Sequence, residues 1–129
     1  MERPWIMIIA VALGSALGGV TRFLTREYLP KLFPVDFPIG TLTVNLVGCL
    51  VAGFLFTYWQ DHQVSQTTKA AIFIGFLGAL TTFSSFSLDT LVMVQEQEMA
   101  KAGFNIALNL LLSLFAVFFG AWIGGRISS

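Results

Sequence analysis

The sequence predicts an all-α membrane protein with four transmembrane helices in a single domain that covers residues 1–129. Of its residues, 56% are apolar and only 11% are charged, whereas soluble chains carry roughly a quarter charged residues. The apolar residues fall into four long stretches, and a helix needs about 20 such residues to cross a hydrocarbon core. Apolarity within each stretch is continuous rather than alternating, which favours helices over the strands of a membrane barrel.

The helices are expected at residues 5–24, 38–59, 70–95 and 102–125. Arg22 is the only charged residue in the first stretch and Asp89 the only one in the third, while the second and fourth carry none. The first stretch is expected to be retained rather than cleaved as a signal peptide, because its Ala-x-Ala triplet lies too early in the run. The connections are short, and none could hold a soluble domain.

The composition also excludes several classes of function. The formal net charge is zero and no basic run is present, so nucleic acid is not an expected partner. Cys49 is the only cysteine and His62 the only histidine, which excludes an intrachain disulfide and the two-histidine zinc protease motif. No phosphate-binding glycine loop is present either, and the chain is not expected to be an enzyme.

The distribution of lysine and arginine gives no preferred orientation. With the N-terminus inside, the inner side would carry Arg3, Lys69 and Arg126. The outer side would carry Arg22, Arg26, Lys31 and Lys101. Three charges against four is no bias under the positive-inside rule. Either other features decide one orientation, or the chain inserts both ways and opposed copies form an antiparallel dimer; the charges leave both open.

Small residues at a spacing of four indicate close helix packing. The first helix contains Gly14 with Gly18 and, one residue on, a serine followed by Gly19. The second helix repeats the pattern with Gly48 and Gly53, each paired with another small residue. Such spacings let helix backbones approach closely in the bilayer, and they indicate an oligomer or a tight bundle.

The third stretch holds a dense cluster of hydroxyl groups. Five of the seven residues from 81 to 87 are threonine or serine. A single hydroxyl in a membrane helix usually bonds back to the preceding turn. Five together, after Gly75 and Gly78, predict a break in the helix, with residues 78–87 departing from regular helical backbone. Freed carbonyl groups there could bind a cation, while N–H groups and hydroxyls such as those of Ser84 and Ser87 could donate to an anion.

Phe83 and Phe86 lie within this cluster and would share a helix face at their spacing of three. With thirteen phenylalanines in the chain, ordinary packing against lipid or protein is one interpretation. The other uses the positive edge of an aromatic ring. Ring edges turned toward a path would favour an anion without the full charge that would hold it too long.

Four further polar residues lie in otherwise apolar helices. Asn45 is in the second helix, and Asn105, Asn109 and Ser113 follow one another at intervals of four in the last. Each amide could serve as an interhelical hydrogen bond. The three in register also suggest a polar track along one helix face. Arg22, at the end of the first helix, could extend to the headgroups or draw anions to a vestibule.

The chain resembles the CrcB/Fluc family of fluoride channels over nearly its whole length. The resemblance rests on GTLTVNLVG at residues 40–48, GFLG at 75–78 and LTTFSSFS at 80–87. Arg22 and the four expected helices agree with it. The usual family string is Thr-Thr-Phe-Ser-Thr-Phe-Ser, so Ser85 replaces a threonine here; both residues carry a hydroxyl.

This resemblance implies a dual-topology antiparallel homodimer with two fluoride pores, located in the bacterial cytoplasmic (inner) membrane. It also implies one central structural sodium ion, bound by the backbone carbonyls of Gly78 and Thr81 from both subunits. The pore residues it implies, together with the hydroxyls of the cluster, are Arg22, Asn45, Phe83, Ser84, Phe86, Ser87, Asn105, Asn109 and Ser113. Fluoride would enter near the arginine, exchange its water for amide, hydroxyl and ring-edge contacts, and leave passively along the last helix.

Two other functions stay open at this point. A small dual-topology exporter of cationic compounds would need a carboxylate inside the membrane, and the first helix has none. A non-transporting assembly subunit would need no polar stripe at all. A fluoride efflux measurement separates all three functions.

Overall fold

The computed structural model describes residues 3–129, and its regular structure over that range is helical throughout. The helices are α1 (Pro4–Leu32), α2 (Ile39–Tyr58), α3 (residues 66–80), α4 (Phe83–Gln95) and α5 (Met99–Ser128). A single 3-10 turn, Trp59–Asp61, follows α2. Four spans are long and apolar enough to cross a membrane, the third being α3 and α4 together. The predicted all-helical class with four spans is confirmed.

Helix α1 continues past the predicted end at residue 24 and reaches Leu32. The length of the apolar run determines which part of a helix crosses the bilayer, but the helix can continue beyond that run. In the added part, Glu27 and Lys31 lie one turn apart and form an ion pair of 3.8 Å. The helix ends at Leu32, because the proline after Phe33 disfavours helical backbone at Phe33, whose φ of −127° and ψ of 82° are not helical. Arg22 therefore lies inside the helix rather than at its end.

Two of the spans contain wider, π-helical turns, which the hydrophobic pattern does not predict. One covers Ala70–Leu77 in α3 and the other covers Leu108–Leu112 in α5. Turns of this kind are rare and often lie beside functional sites. In this chain, the second of them contains Asn109 and Leu110, which line the groove described below.

Helix α1 packs against α3 with almost no side chain between them. A methyl group added at Gly14 would overlap the carbonyl oxygen of Ala71, and one added at Gly18 would overlap that of Phe76. The glycines at this spacing therefore allow α1 and α3 of the same chain to pack closely. Gly19 differs, because nothing lies within 4 Å of the position that its β-carbon would take.

Helix α2 packs in the same way against the C-terminal half of α5. Added methyl groups at Gly53, Gly120 and Gly124 would each overlap a carbonyl oxygen of the facing helix. The buried apolar core is small, with Val44 and Leu80 among its members. Most large apolar side chains are exposed on the outside of the bundle, as expected when lipid is the solvent.

Candidate functional site

The site is built around the junction between α3 and α4. Helix α3 ends at Leu80 and α4 begins at Phe83. Between them, Thr81 (φ −80°, ψ 153°) and Thr82 (φ −151°, ψ 120°) have extended backbones. Since residues 78–80 and 83–87 are helical, the expectation of irregular backbone across 78–87 was too wide.

The Asn45 side chain holds the backbone of Thr82 in this conformation. Its Oδ1 accepts a hydrogen bond of 2.8 Å from the Thr82 N–H, and its Nδ2 donates to the Thr82 carbonyl at 3.2 Å. In a continuous helix that N–H would bond to the Gly78 carbonyl. The Gly78 carbonyl therefore loses its helical partner, and this glycine is exposed on the surface of the chain.

Thr82 also begins the next helix. Its Oγ1 accepts a hydrogen bond of 3.1 Å from the Ser85 N–H, the usual geometry of a helix N-cap. The carbonyl end of α3 and the N–H end of α4 therefore meet at the junction. Their dipoles favour a cation on the side of α3 and an anion on the side of α4.

A chain of hydrogen bonds runs from Asn45 along α5. The Nδ2 of Asn45 donates to Oδ1 of Asn109 at 3.0 Å, and Nδ2 of Asn109 donates to Oδ1 of Asn105 at 3.0 Å. We call these three asparagines the amide ladder. Asn105 and Asn109 therefore share a helix face, as their spacing predicted. All three are buried, and Asn105 is only 1% exposed, so in this chain their amides bond to each other and to neighbouring groups of the protein.

A groove of about 310 Å³ lies over the junction. It is lined by Asn45, Cys49, Thr81, Thr82, Phe83, Phe86, Asn109, Leu110, Ser113 and Leu114. We call it the polar–aromatic groove. Five of the predicted pore residues meet there, although they come from α2, α4 and α5. Asn105, Ser84, Ser87 and Arg22 do not line it.

The two phenylalanines differ in their surroundings. Phe83 is 72% exposed at the edge of the groove, whereas Phe86 is 7% exposed. Their ring centroids lie 5.3 Å apart at an angle of 70°, edge to face. The predicted shared face at a spacing of three is confirmed. One ring is therefore held by the protein and the other faces outward.

The two serines of α4 that were expected in the pore are both exposed. Ser87 donates its hydroxyl to the Phe83 carbonyl at 2.9 Å, a bond back to the preceding turn. Ser84 lies 3.3 Å from the Thr82 hydroxyl. The hydroxyl of Ser87 is thus bonded within its own helix, and that of Ser84 lies beside Thr82 at the start of α4.

Arg22 lies in a second cavity of about 390 Å³ at the other side of α4. Arg26, one turn further along α1, makes the side-chain contacts with α4. Its Nη1 donates to Ser85 Oγ at 3.0 Å, and its Nη2 lies 3.6 Å from Asp89 Oδ1. Arg26 was not among the residues predicted for the site, because the first helix was expected to end at residue 24. The spacing of four from Arg22 could have indicated that both lie on one helix face.

Carboxylate, histidine and cysteine side chains do not form a metal centre here. Over residues 3–129, no group of three or more of them is close enough to hold an ion. A cation at the junction would have to be bound by backbone oxygens, such as the Gly78 carbonyl, to which the Thr82 N–H does not donate. Unwound carbonyls of this kind bind sodium in other membrane proteins.

Comparison with known proteins covers most of the chain. The family model described as "CrcB-like protein, Camphor Resistance (CrcB)" matches residues 9–121. A protein of Shewanella sediminis (strain HAW-EB3) named fluoride-specific ion channel FluC is 47% identical over 113 residues, which are 88% of this chain and 91% of that protein. Proteins of the same name from Shewanella woodyi (strain ATCC 51908 / MS32) and Shewanella loihica (strain ATCC BAA-1088 / PV-4) are 45% identical with the same coverage.

Proposed function

The chain belongs to the CrcB family, and on that premise we propose that it is a fluoride-specific ion channel through which fluoride leaves the cell passively. With four helices able to cross a bilayer, it is a multi-pass membrane protein, and we place it in the bacterial inner membrane. The observation that carries the proposal is the polar–aromatic groove, where amides, hydroxyls and two rings meet beside a helix N-terminus. The hydroxyls and the ring edges are the groups that would replace the water around a small anion, and the amides would hold them in place.

Within this proposal, Asn45 acts by positioning rather than by donating freely to fluoride. Its amide nitrogen already donates to the Thr82 carbonyl and to Asn109. An amide nitrogen carries two hydrogens, so neither is left for an ion in this arrangement. Direct contact would fall to the ring edges of Phe83 and Phe86 and to the Ser113 hydroxyl, which lie in the same groove.

Two further parts of the proposal concern assembly. The groove is open on the surface of a single chain, Phe83 at its edge is exposed, and Gly78 of the same junction is exposed as well. An ion exposed to lipid would be costly, so a second copy that covers this face is physically reasonable. The balanced charges of three against four agree with an opposed copy. We therefore propose an antiparallel homodimer with two pores.

A structural sodium ion also fits the junction. The Gly78 carbonyl has lost its helical partner to Asn45, and the Thr81 carbonyl belongs to an extended residue. We propose that these oxygens, from both copies, hold the ion. When bound, it would supply a positive charge that neutralises the carbonyl ends of the two interrupted helices.

The cation exporter is less favoured. Such a protein needs a carboxylate available inside the membrane, and the acid in the third span, Asp89, is paired with Arg26. An assembly subunit would not explain a hydrogen-bonded polar groove at membrane depth. The comparisons likewise name relatives as fluoride-specific channels.

The test is fluoride efflux from liposomes that contain the purified chain. With potassium fluoride inside and a potassium ionophore added, a fluoride electrode should record rapid release that scales with protein content. Chloride release under the same conditions should stay at the level of empty liposomes. Intact protein without fluoride release would overturn the channel, and uptake of a cationic dye would support the exporter instead.

Dual topology has a separate test. A cysteine placed at Ser129 in a Cys49→Ser background should react with an impermeant thiol reagent in about half of the copies in sealed vesicles. Labelling of nearly all or nearly none of the copies would exclude two opposed orientations. This result does not depend on whether the protein conducts fluoride.

A further inference from the structure

The amide ladder does not stop at Asn105. The Nδ2 of Asn105 donates to Thr90 Oγ1 at 2.9 Å, and Thr90 Oγ1 donates in turn to the Phe86 carbonyl at 2.9 Å. The hydrogen bonds therefore begin at the Thr82 backbone, cross from α2 to α5, and return to α4 one turn beyond the groove. Thr90 is the last side chain in this series.

The direction of the bonds in the series follows from its two ends, and the Asn109 amide also donates to the Asn105 backbone carbonyl at 2.9 Å. The Thr82 N–H needs an acceptor, which turns Oδ1 of Asn45 toward it and Nδ2 toward Asn109. Asn109 must then donate to Asn105, and Asn105 must donate onward. A hydroxyl can accept from this amide and still donate to the Phe86 carbonyl, and no apolar side chain can do both.

We propose that Thr90 is a positioning residue of the pore: by accepting from Asn105 and donating to Phe86, it fixes the orientation of the amide ladder and thereby holds the Thr82 junction and the Phe86 ring in register. This inference rests on the proposed channel function and goes beyond it, because Thr90 lines neither the groove nor the arginine cavity. Asn105, expected in the pore, acts here as a link in the ladder.

The decisive variants are Thr90→Val and Thr90→Ser. Valine keeps the shape of threonine but leaves the Asn105 amide, which is 1% exposed, without its acceptor. Serine keeps the hydroxyl and should restore function. Thr21→Val is a matched control, since the Thr21 hydroxyl also donates to the carbonyl four residues earlier, at 2.7 Å, but is exposed and has no amide on its other side.

Two measurements separate positioning from general instability. Thr90→Val should lower fluoride efflux by roughly tenfold, the effect expected for a buried donor left unpaired, while Thr90→Ser and Thr21→Val stay within twofold of the original chain. Hydrogen exchange should speed up in peptides that cover Thr82, at the far end of the ladder, and not in peptides from α1. If Thr90→Val does not assemble, Thr90→Cys, with its weakly bonding thiol, replaces it and should give an intermediate rate of efflux.

Three outcomes would overturn the proposal: Thr90→Val with unchanged efflux and exchange, Thr90→Ser as impaired as Thr90→Val, or faster exchange spread over all helices. An original chain that conducts no fluoride would overturn the channel function alone. In that case the hydrogen exchange at Thr82 still decides whether Thr90 orients the ladder.

Discussion

Replacing Asn45 by leucine tests the contact on which the junction depends. The substitution keeps a side chain of similar size and removes three hydrogen bonds, two to the Thr82 backbone and one to Asn109. Side-chain hydrogen bonds in a membrane contribute about 0.6 kcal/mol each on average, because the unfolded chain also finds partners there. Three of them give a loss of about 2 kcal/mol, or roughly a thirtyfold change in the folding equilibrium.

The functional effect should be larger than this change in stability. Without Asn45, the Thr82 N–H can return to the Gly78 carbonyl, and the helix can close over the junction. We therefore expect fluoride efflux from liposomes to be abolished in Asn45→Leu, although the protein still purifies as an assembled species. Val47→Leu, on the same helix but 47% exposed, is the control and should conduct normally. Normal efflux from Asn45→Leu would refute the reasoning that this amide holds the junction open.

Three other predictions follow from the same structure. Phe83→Ile should reduce fluoride efflux while leaving assembly intact, as seen by gel filtration; unchanged efflux would remove the ring from the mechanism. Gly18→Ala should lower the thermal stability of the protein, because its methyl group would overlap the Phe76 carbonyl, whereas Gly19→Ala should not; equal effects of the two would contradict this packing. Thr81→Val should keep most of the efflux, since its hydroxyl bonds only to the preceding turn, but replacing sodium by a large organic cation during purification should lower activity; assembly and efflux without sodium would count against the proposed ion.

The number and class of the helices could be predicted because the bilayer sets both the length and the apolarity of a spanning segment. The end of α1 could not, since it depends on a proline beyond the apolar run and on an ion pair near the membrane surface. Periodicity predicted that Asn105 and Asn109 share a face, but not that their amides bond to each other. The amide bonds depend on which side chains of the neighbouring helices face α5, here Asn45 and Thr90.

The details of the junction could not be predicted from the sequence either, because they also depend on contacts between helices. The Thr82 N–H is accepted by a side chain that lies 37 residues earlier, and no local pattern reveals such a pairing. Arg26 and Thr90 were missed because their roles come from neighbours on other helices. The hydroxyl-rich string drew attention to Ser84 and Ser87, whereas the amide of Asn45 determines the backbone.

The glycine contacts between α1 and α3, and between α2 and α5, have a mechanical consequence. Backbones that touch without intervening side chains resist sliding, because a shift along either axis would drive carbonyl oxygens into the facing chain. Carriers that alternate between two open states rely on one half of the molecule rocking against the other. A bundle that resists such sliding is suited to a fixed path. The rate of fluoride transport should therefore increase in proportion to the fluoride gradient and should not saturate at the rate of a conformational cycle.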